Sequence, residues 1–478
     1  MYRATAMLAG LVATATLTRC KSSTEPVVPA NIVVTPVSLL LEVTASQQLT
    51  VRAFDGGGDE IANPKVVFVS TNEAVAQVDD EGTVTGVTSG SCQIIVQAAA
   101  DAQVAVTVPT TVTMFHVGVT PAAAALTPGA TLQLSAQVTG DAGQPLPGVP
   151  VTWSTSDGGV VSVTSGGNAQ GVAIGYADVV AAAGLQGRDT AALVVLYRIP
   201  VAGAAYGLDV AQNRLALATL GDAASVARID LATRTVTATI GVGGVPTQVA
   251  FNPAGDSAYV TNQSSRNVGV IGVVAGIQVG TVAVPADPFV VEVSPSGAFV
   301  YATGNEGSVF AIDAATRAVD TALFAGGSPN GLAFHPTNPV LYVSTFQTGL
   351  VVEVNTTGNT LGRQFSVGGL PQGLAVSLDG QELYVANESS ARVHVLSTAT
   401  GATIGTIVLP GGAFGLALSP DGTTLYAGIP GAVAVINRAA RTVARVVPVG
   451  GLPRRIGFDP GTGRAVVANA TGWVDILP

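Results

Sequence analysis

One place in a C-terminal repeat carries a different kind of residue in almost every copy: Tyr206, Thr247, Phe289, Asn330, Gln372, Phe414 and Arg454, the last followed by Arg455. Each opens a short apolar run, in most copies directly after a proline. A position that varies inside an otherwise regular repeat is free of the folding constraint its neighbours obey, so it can specialise in recognition. The chemistry expected of this set is therefore ligand binding, on a rim it shares with Arg266, Asp287, Asn305, Glu306, Gln347 and Glu388. Covalent chemistry has less support. The chain contains no G-x-S-x-G elbow, G-x-G-x-x-G turn, Walker loop or H-E-x-x-H motif. His116, His335 and His394 fall in different elements and do not converge on one metal. Asn262, Asn387 and Asn469 share a repeated position, where turn capping explains them better than metal ligation. No catalytic residue, metal site or cofactor is expected.

The elements that must position these residues are short strands. Pro246, Pro288, Pro329 and Pro371 are 42, 41 and 42 residues apart, and Pro453 lies 82, or two repeats, further on. A period of about 40–45 residues with four strands per unit is the pattern of a β-propeller. In the clearest copy Gly373–Val376 precedes a turn, then come Leu383–Asn387, Val393–Leu396 and Ile404–Leu409. Seven inner strands can be counted, beginning with Gly207–Val210 and ending with Arg455–Phe458. The last repeat stops at Val474–Leu477 without an outer strand, whereas Leu196–Gly203 matches an outer strand and precedes the first repeat. It is expected to complete the seventh blade and remove an exposed edge. Because strand direction alternates, the Gly-Gly-x-Pro loops and the loops after the second strands share one face. The near-identical Ser-Pro-Asp-Gly and Asp-x-x-Thr turns share the other, where their residues answer to turn geometry.

The second strands read Ala258-Tyr259-Val260-Thr261-Asn262, Val300-Tyr301-Ala302-Thr303, Leu341-Tyr342-Val343-Ser344 and Leu425-Tyr426-Ala427-Gly428. These residues resemble the YVTN-repeat propellers, a likeness that covers about residues 196–478. Ahead of them, two segments of similar design show period-two alternation between closely spaced turns, as in β-sandwiches. The elements Val84-Thr85-Gly86-Val87 and Val151-Thr152-Trp153-Ser154 resemble bacterial Ig-like domains of the intimin and invasin type. Phe68 stands where that family usually has Trp, and the second copy keeps Trp153. The resemblance implies an extracytoplasmic spacer or adhesion module. Asp79-Asp80-Glu81 is read as a solvated acidic turn rather than a Ca²⁺ loop.

Composition agrees with this picture. Charged residues make up only 10 % of 478, and 58 Gly and 27 Pro favour strands and tight turns. The net charge of −10 and the scattering of single Arg residues leave no basic footprint for nucleic acid. Mean hydropathy is positive, yet beyond the N-terminus no apolar run reaches the ~18 residues of a spanning helix. Arg3 followed by Ala4–Thr18 reads as an export signal. Leu17-Thr18-Arg19-Cys20 resembles a lipobox that would lipidate Cys20, although Arg19 stands where Gly, Ala or Ser is the rule; cleavage after Ala15 competes. Cys92 is expected to be a buried hydrophobe without a disulfide partner.

The organisation expected is thus all-β: an export signal over 1–20, a linker over 21–30, Ig-like domains over 31–110 and 111–195, and a seven-bladed propeller over 196–478. The function expected is that of an exported monomer, lipid-anchored in the cell envelope or extracellular. Its spacers would present a propeller that binds a protein or glycan there, with a lactonase-like hydrolase acting on a sugar lactone as the alternative.

Overall fold

The computed structural model describes residues 28–478. The export signal, Cys20 and the first part of the linker lie outside the described residues. Every named element is a strand. In the first sandwich a four-stranded sheet runs in the order Leu39–Glu42, Asp101–Thr113, Gly90–Ala98, Val66–Ser70. Smaller sheets pair Asn31–Thr35 with Thr50–Phe54, and Ser46–Gln48 with Thr83–Gly86 and Ala76–Val78. Alternation along Gly90–Ala98 turns Cys92, Ile94 and Val96 into one apolar cluster, so the free Cys92 is a core side chain. The second sandwich repeats the plan, with Ala123–Leu126, Gly187–Val195, Gly175–Ala183 and Thr152–Thr155 as its larger sheet. Phe68 and Trp153 sit on corresponding edge strands of the two larger sheets, each packed on its own core. Asp79 behaves as the acidic-turn reading expects: its Oδ1 accepts the backbone N–H groups of Glu81 and Thr83 at 3.1 and 2.7 Å.

By their contacts the described residues fall into two compact units. One runs through His116 and includes 138–150 and 183–187; the other comprises 117–137, 151–182 and 188–478, and so contains the whole propeller.

Seven four-stranded sheets make up the propeller, six of them in simple chain order. The seventh has the order Tyr197–Pro200, Trp473–Ile476, Ala465–Asn469, Pro453–Phe458. Its outermost strand is therefore the N-terminal one, antiparallel to the last strand of the chain with Tyr197 opposite Ile476. Side chains lock this clasp. Arg198 donates from Nε to the fully buried Asp475 at 2.8 Å and stacks over the Trp473 ring at 4.2 Å. Trp473 Nε1 donates to the other Asp475 oxygen at 2.8 Å. Blades one and seven are also joined by a bidentate pair, Arg214 to Asp459 at 2.7–2.8 Å.

The core of this unit lies between blades rather than at the centre. Each of the seven gaps, among the described residues, is filled by one apolar cluster, such as Val268, Val282, Val291, Val300, Phe310 and Ile312 between blades two and three. The inner strands pack in sequence around the ring and the seventh closes on the first. On the side where blades connect, the loop after each second strand hydrogen-bonds to the loop that opens its own blade: Gln263 N to Val245 O, Asn305 N to Asp287 O, Glu388 N to Leu370 O. Blade six lacks this bond because the corresponding residue is Pro430, which has no N–H. Its inner strand is correspondingly short, Leu416–Leu418.

Asn387 and Asn469 cap these loops as expected. Their amides donate to Gly368 O and Gly450 O at 2.8 and 2.9 Å, and their Oδ1 atoms accept from Leu370 N and Leu452 N. The second glycine of each loop, Gly369 or Gly451, has φ near +60° and lies so close to the Asn side chain that a Cβ would strike it. Asn262 differs: its amide turns to Asn267 and its Oδ1 has no partner.

Candidate functional site

The first residue after each Pro position lies at the same end of an inner strand, so ring closure gathers seven of them around one channel mouth. The repeat itself sets their backbones. The hydroxyl of the residue before the repeated Asn reaches into the next blade: Thr219 donates to Thr247 O, Thr261 to Phe289 O and Ser344 to Gln372 O, at 3.3, 3.1 and 2.6 Å. The next residue in each strand is Gly in blades one, four, five and six. A Cβ at Gly331 or Gly415 would run into the backbone of the neighbouring inner strand, so glycine here is what lets the strands approach. Blade seven breaks that rule with Arg455.

The eight side chains expected at the mouth form one connected group. Tyr206 makes edge contacts with both Phe289 and Phe414, at centroid separations of 5.8 and 5.5 Å. Arg454 stacks its guanidinium over Tyr206 and Phe414, at 5.2 and 4.6 Å, and Arg455 lies 5.6 Å from the Phe414 ring. Arg455 also reaches from blade seven to the Asn330 carbonyl of blade four, at 3.4 Å. The Asn330 amide donates to Gln372 Oε1, and Gln372 Nε2 donates to the exposed Glu388 at 2.6 Å. Thr247, Gln372 and Phe414 are buried, and Thr247 differs from the rest in that its hydroxyl is committed to Phe289 O at 2.6 Å. Of the wider rim, Arg266 and Asp287 pair with each other in the open.

Hydrogen bonding in this group is unfinished, as it is at several single side chains elsewhere in the blades, but here the open atoms cluster. The Nε atoms of Arg454 and Arg455 and the Oδ1 of Asn330 are buried without a partner, and so is Oε1 of neighbouring Gln248. Neither arginine is ion-paired within the described residues. Enclosure by the channel pushes the Arg455 guanidinium below its usual range.

Two carboxyl groups of the inner strands were not anticipated. Asp209 and Glu292 occupy the fifth residue of inner strands one and three, where the other copies have Ala250, Ala333, Ala375, Ala417 and Gly457. Burial raises Glu292 to about 8, the charge of Asp209 adds to the shift and Arg455 offsets part of it. Asp209 is raised to about 6, again by burial, held back by N–H donation from Phe251 and Val210. The signal was present in the sequence: a carboxylate twice replaces a residue that is otherwise Ala or Gly. It is masked by the stronger variation three residues earlier in the same strands.

The histidines stay apart. His116 pairs with Asp141, His335 caps its turn by accepting Asn338 N at 2.9 Å, and His394 sits mid-blade with an unpartnered Nε2.

Fold and site together define an all-β protein in which two Ig-like β-sandwich domains precede a seven-bladed β-propeller with a polar, aromatic channel mouth. The family model of the bacterial Ig-like domain (group 2) matches residues 29–108 and 112–195, and domains of that family are typical of bacterial surface and extracellular proteins. Among solved structures the chain is similar to Kuenenia stuttgartiensis hydrazine synthase, with a TM-score of 0.53 and 17 % identity over 57 % of this chain and 96 % of that one. At this identity the likeness concerns the fold alone. No curated protein sequence matches the chain.

Proposed function

We propose that this is an exported surface protein whose Ig-like domains act as spacers for a propeller with YVTN-type repeats, and that the propeller binds a protein partner at its channel mouth. The observation that carries the reading is the convergence of the one variable repeat position on a single site with unsatisfied donors and acceptors. Buried polar groups without partners cost about 1–3 kcal/mol each, so a fold keeps them where something outside the chain completes them. A protein is favoured over a glycan because guanidinium groups lie over the Tyr206 and Phe414 rings, where they compete with a sugar ring for those faces and offer donors to acidic side chains. Attachment to the envelope through Cys20 belongs to the same reading; metabolic labelling with a clickable palmitate is expected to mark the wild type and not Cys20→Ala. The site is tested by photo-crosslinking from the rim in envelope extract, comparing the wild type with Arg454→Ala/Arg455→Ala. Loss of the crosslinked partner is expected, and unchanged recovery overturns the assignment.

A further inference from the structure

We infer that the group the mouth receives is a carboxylate, an acidic side chain of the bound protein entering between Arg454 and Arg455; this rests on the reading of the mouth as a binding site. Two adjacent guanidinium groups lie there over aromatic rings, Arg454 over Tyr206 and Phe414 and Arg455 over Phe414. Stacking fixes the plane of a guanidinium and leaves its in-plane N–H donors available, the arrangement that suits the two oxygens of a carboxylate. Those donors are almost unused: within the described residues the only hydrogen bond from either side chain is the 3.4 Å contact of Arg455 with Asn330 O.

The charges that face the pair from the other blades leave it uncompensated. Glu388 is exposed and already holds the Gln372 amide. Glu292, across the channel in blade three, interacts with Arg455 through space but is kept protonated near neutrality by burial and by Asp209 of blade one. Tyr206 is a phenol raised further by burial. An entering carboxylate therefore meets two cations and few competing anions. As Glu292 ionises, near pH 8, it becomes an internal partner for Arg455 and competes with the ligand.

The test uses the full-length protein and fluorescence anisotropy at low salt. The probes are a labelled hexaglutamate peptide, its hexaglutamine counterpart and oligogalacturonate, with inorganic phosphate as competitor. Hexaglutamate is expected to bind, hexaglutamine to bind at least tenfold more weakly, and Arg454→Ala/Arg455→Ala to lose hexaglutamate binding without a lower melting temperature. Affinity for hexaglutamate should fall between pH 7 and pH 9 in the wild type and hold constant in Glu292→Gln. Equal binding of both peptides overturns the carboxylate assignment. Tighter binding of oligogalacturonate overturns the protein source, and displacement by phosphate at equal concentration overturns selectivity for carboxylate. If hexaglutamate fails while the arginine variant still loses its crosslinked partner, the carboxylate inference falls and the binding site stands. If partner recovery is unchanged as well, both fall.

Discussion

The two ends of the propeller are built from the same repeat and treat polar groups in opposite ways. At the turns between inner and second strands, side chains finish what the backbone leaves open. Ser294, Ser377 and Ser419 accept the N–H five residues on at 2.9–3.0 Å, and His335 closes its own turn by accepting the N–H three residues on with Nδ1. At the channel mouth, donors and acceptors of Asn330, Arg454 and Arg455 are enclosed and left over. One end is closed on itself, and the other leaves buried polar atoms of three side chains without partners. A repeat can therefore hold a fold with the residues it keeps and form a site with those it changes.

That contrast can be broken by substitution, and the largest effect belongs to neither end but to the clasp on which both depend. Arg198→Ala leaves Asp475 buried without its cation, and a loss on the order of 3–5 kcal/mol is expected. Urea unfolding with the same variant should show a lower midpoint, and an unchanged one would mean that the clasp does not hold the ring.

Glu292 should reveal the cost of a site residue. The group titrates near 4.5 when unfolded and near 8 when folded, so between these values the folded state holds a proton that the unfolded state has released. Stability should therefore fall as pH rises from about 5 to about 8, by roughly 1–3 kcal/mol, and Glu292→Gln should flatten that slope. Thermal melts across this window decide it; a slope unchanged in the variant sinks the assignment.

Smaller effects should separate the two ends directly. Asn387→Ala removes a cap on the mouth side that serves structure, and a cost of about 1–2 kcal/mol is expected with partner binding reduced only in proportion to unfolding. Ser419→Ala, on the opposite end, should cost about 1 kcal/mol and leave partner binding untouched. Arg454→Ala is expected to leave the melting temperature within a degree or two of the wild type, because no hydrogen bond is lost with it. A clear drop would place Arg454 among the structural residues.

Much of this was legible in the chain. The spacing of the prolines implied a propeller repeat, the count of inner strands implied seven blades, and the truncated last repeat with a spare strand at Leu196–Gly203 implied the clasp, which is paired as expected. The variable residues were recognisable because regularity elsewhere made variation visible. Thr247 was the exception among them: its side chain lies in the wall and spends its hydroxyl on the next blade. Asp209 and Glu292 were not legible, because a single carboxylate on a strand is ordinary until the ring brings another within range of its charge.

Local and periodic features could be read from the residues alone: strand lengths, turn chemistry, blade number, and which position was released from the repeat. These follow from alternation and from Gly, Pro, Asn and Ser geometry within a few residues. What that position became depended on closure of the ring. Closing seven inner strands into a ring brought Arg455 of blade seven to Asn330 of blade four, placed Arg454 over rings from blades one and six, and set half-buried Glu292 where desolvation raises its pKa. Burial and through-space charge depend on neighbours far along the chain, and the ring supplies those neighbours.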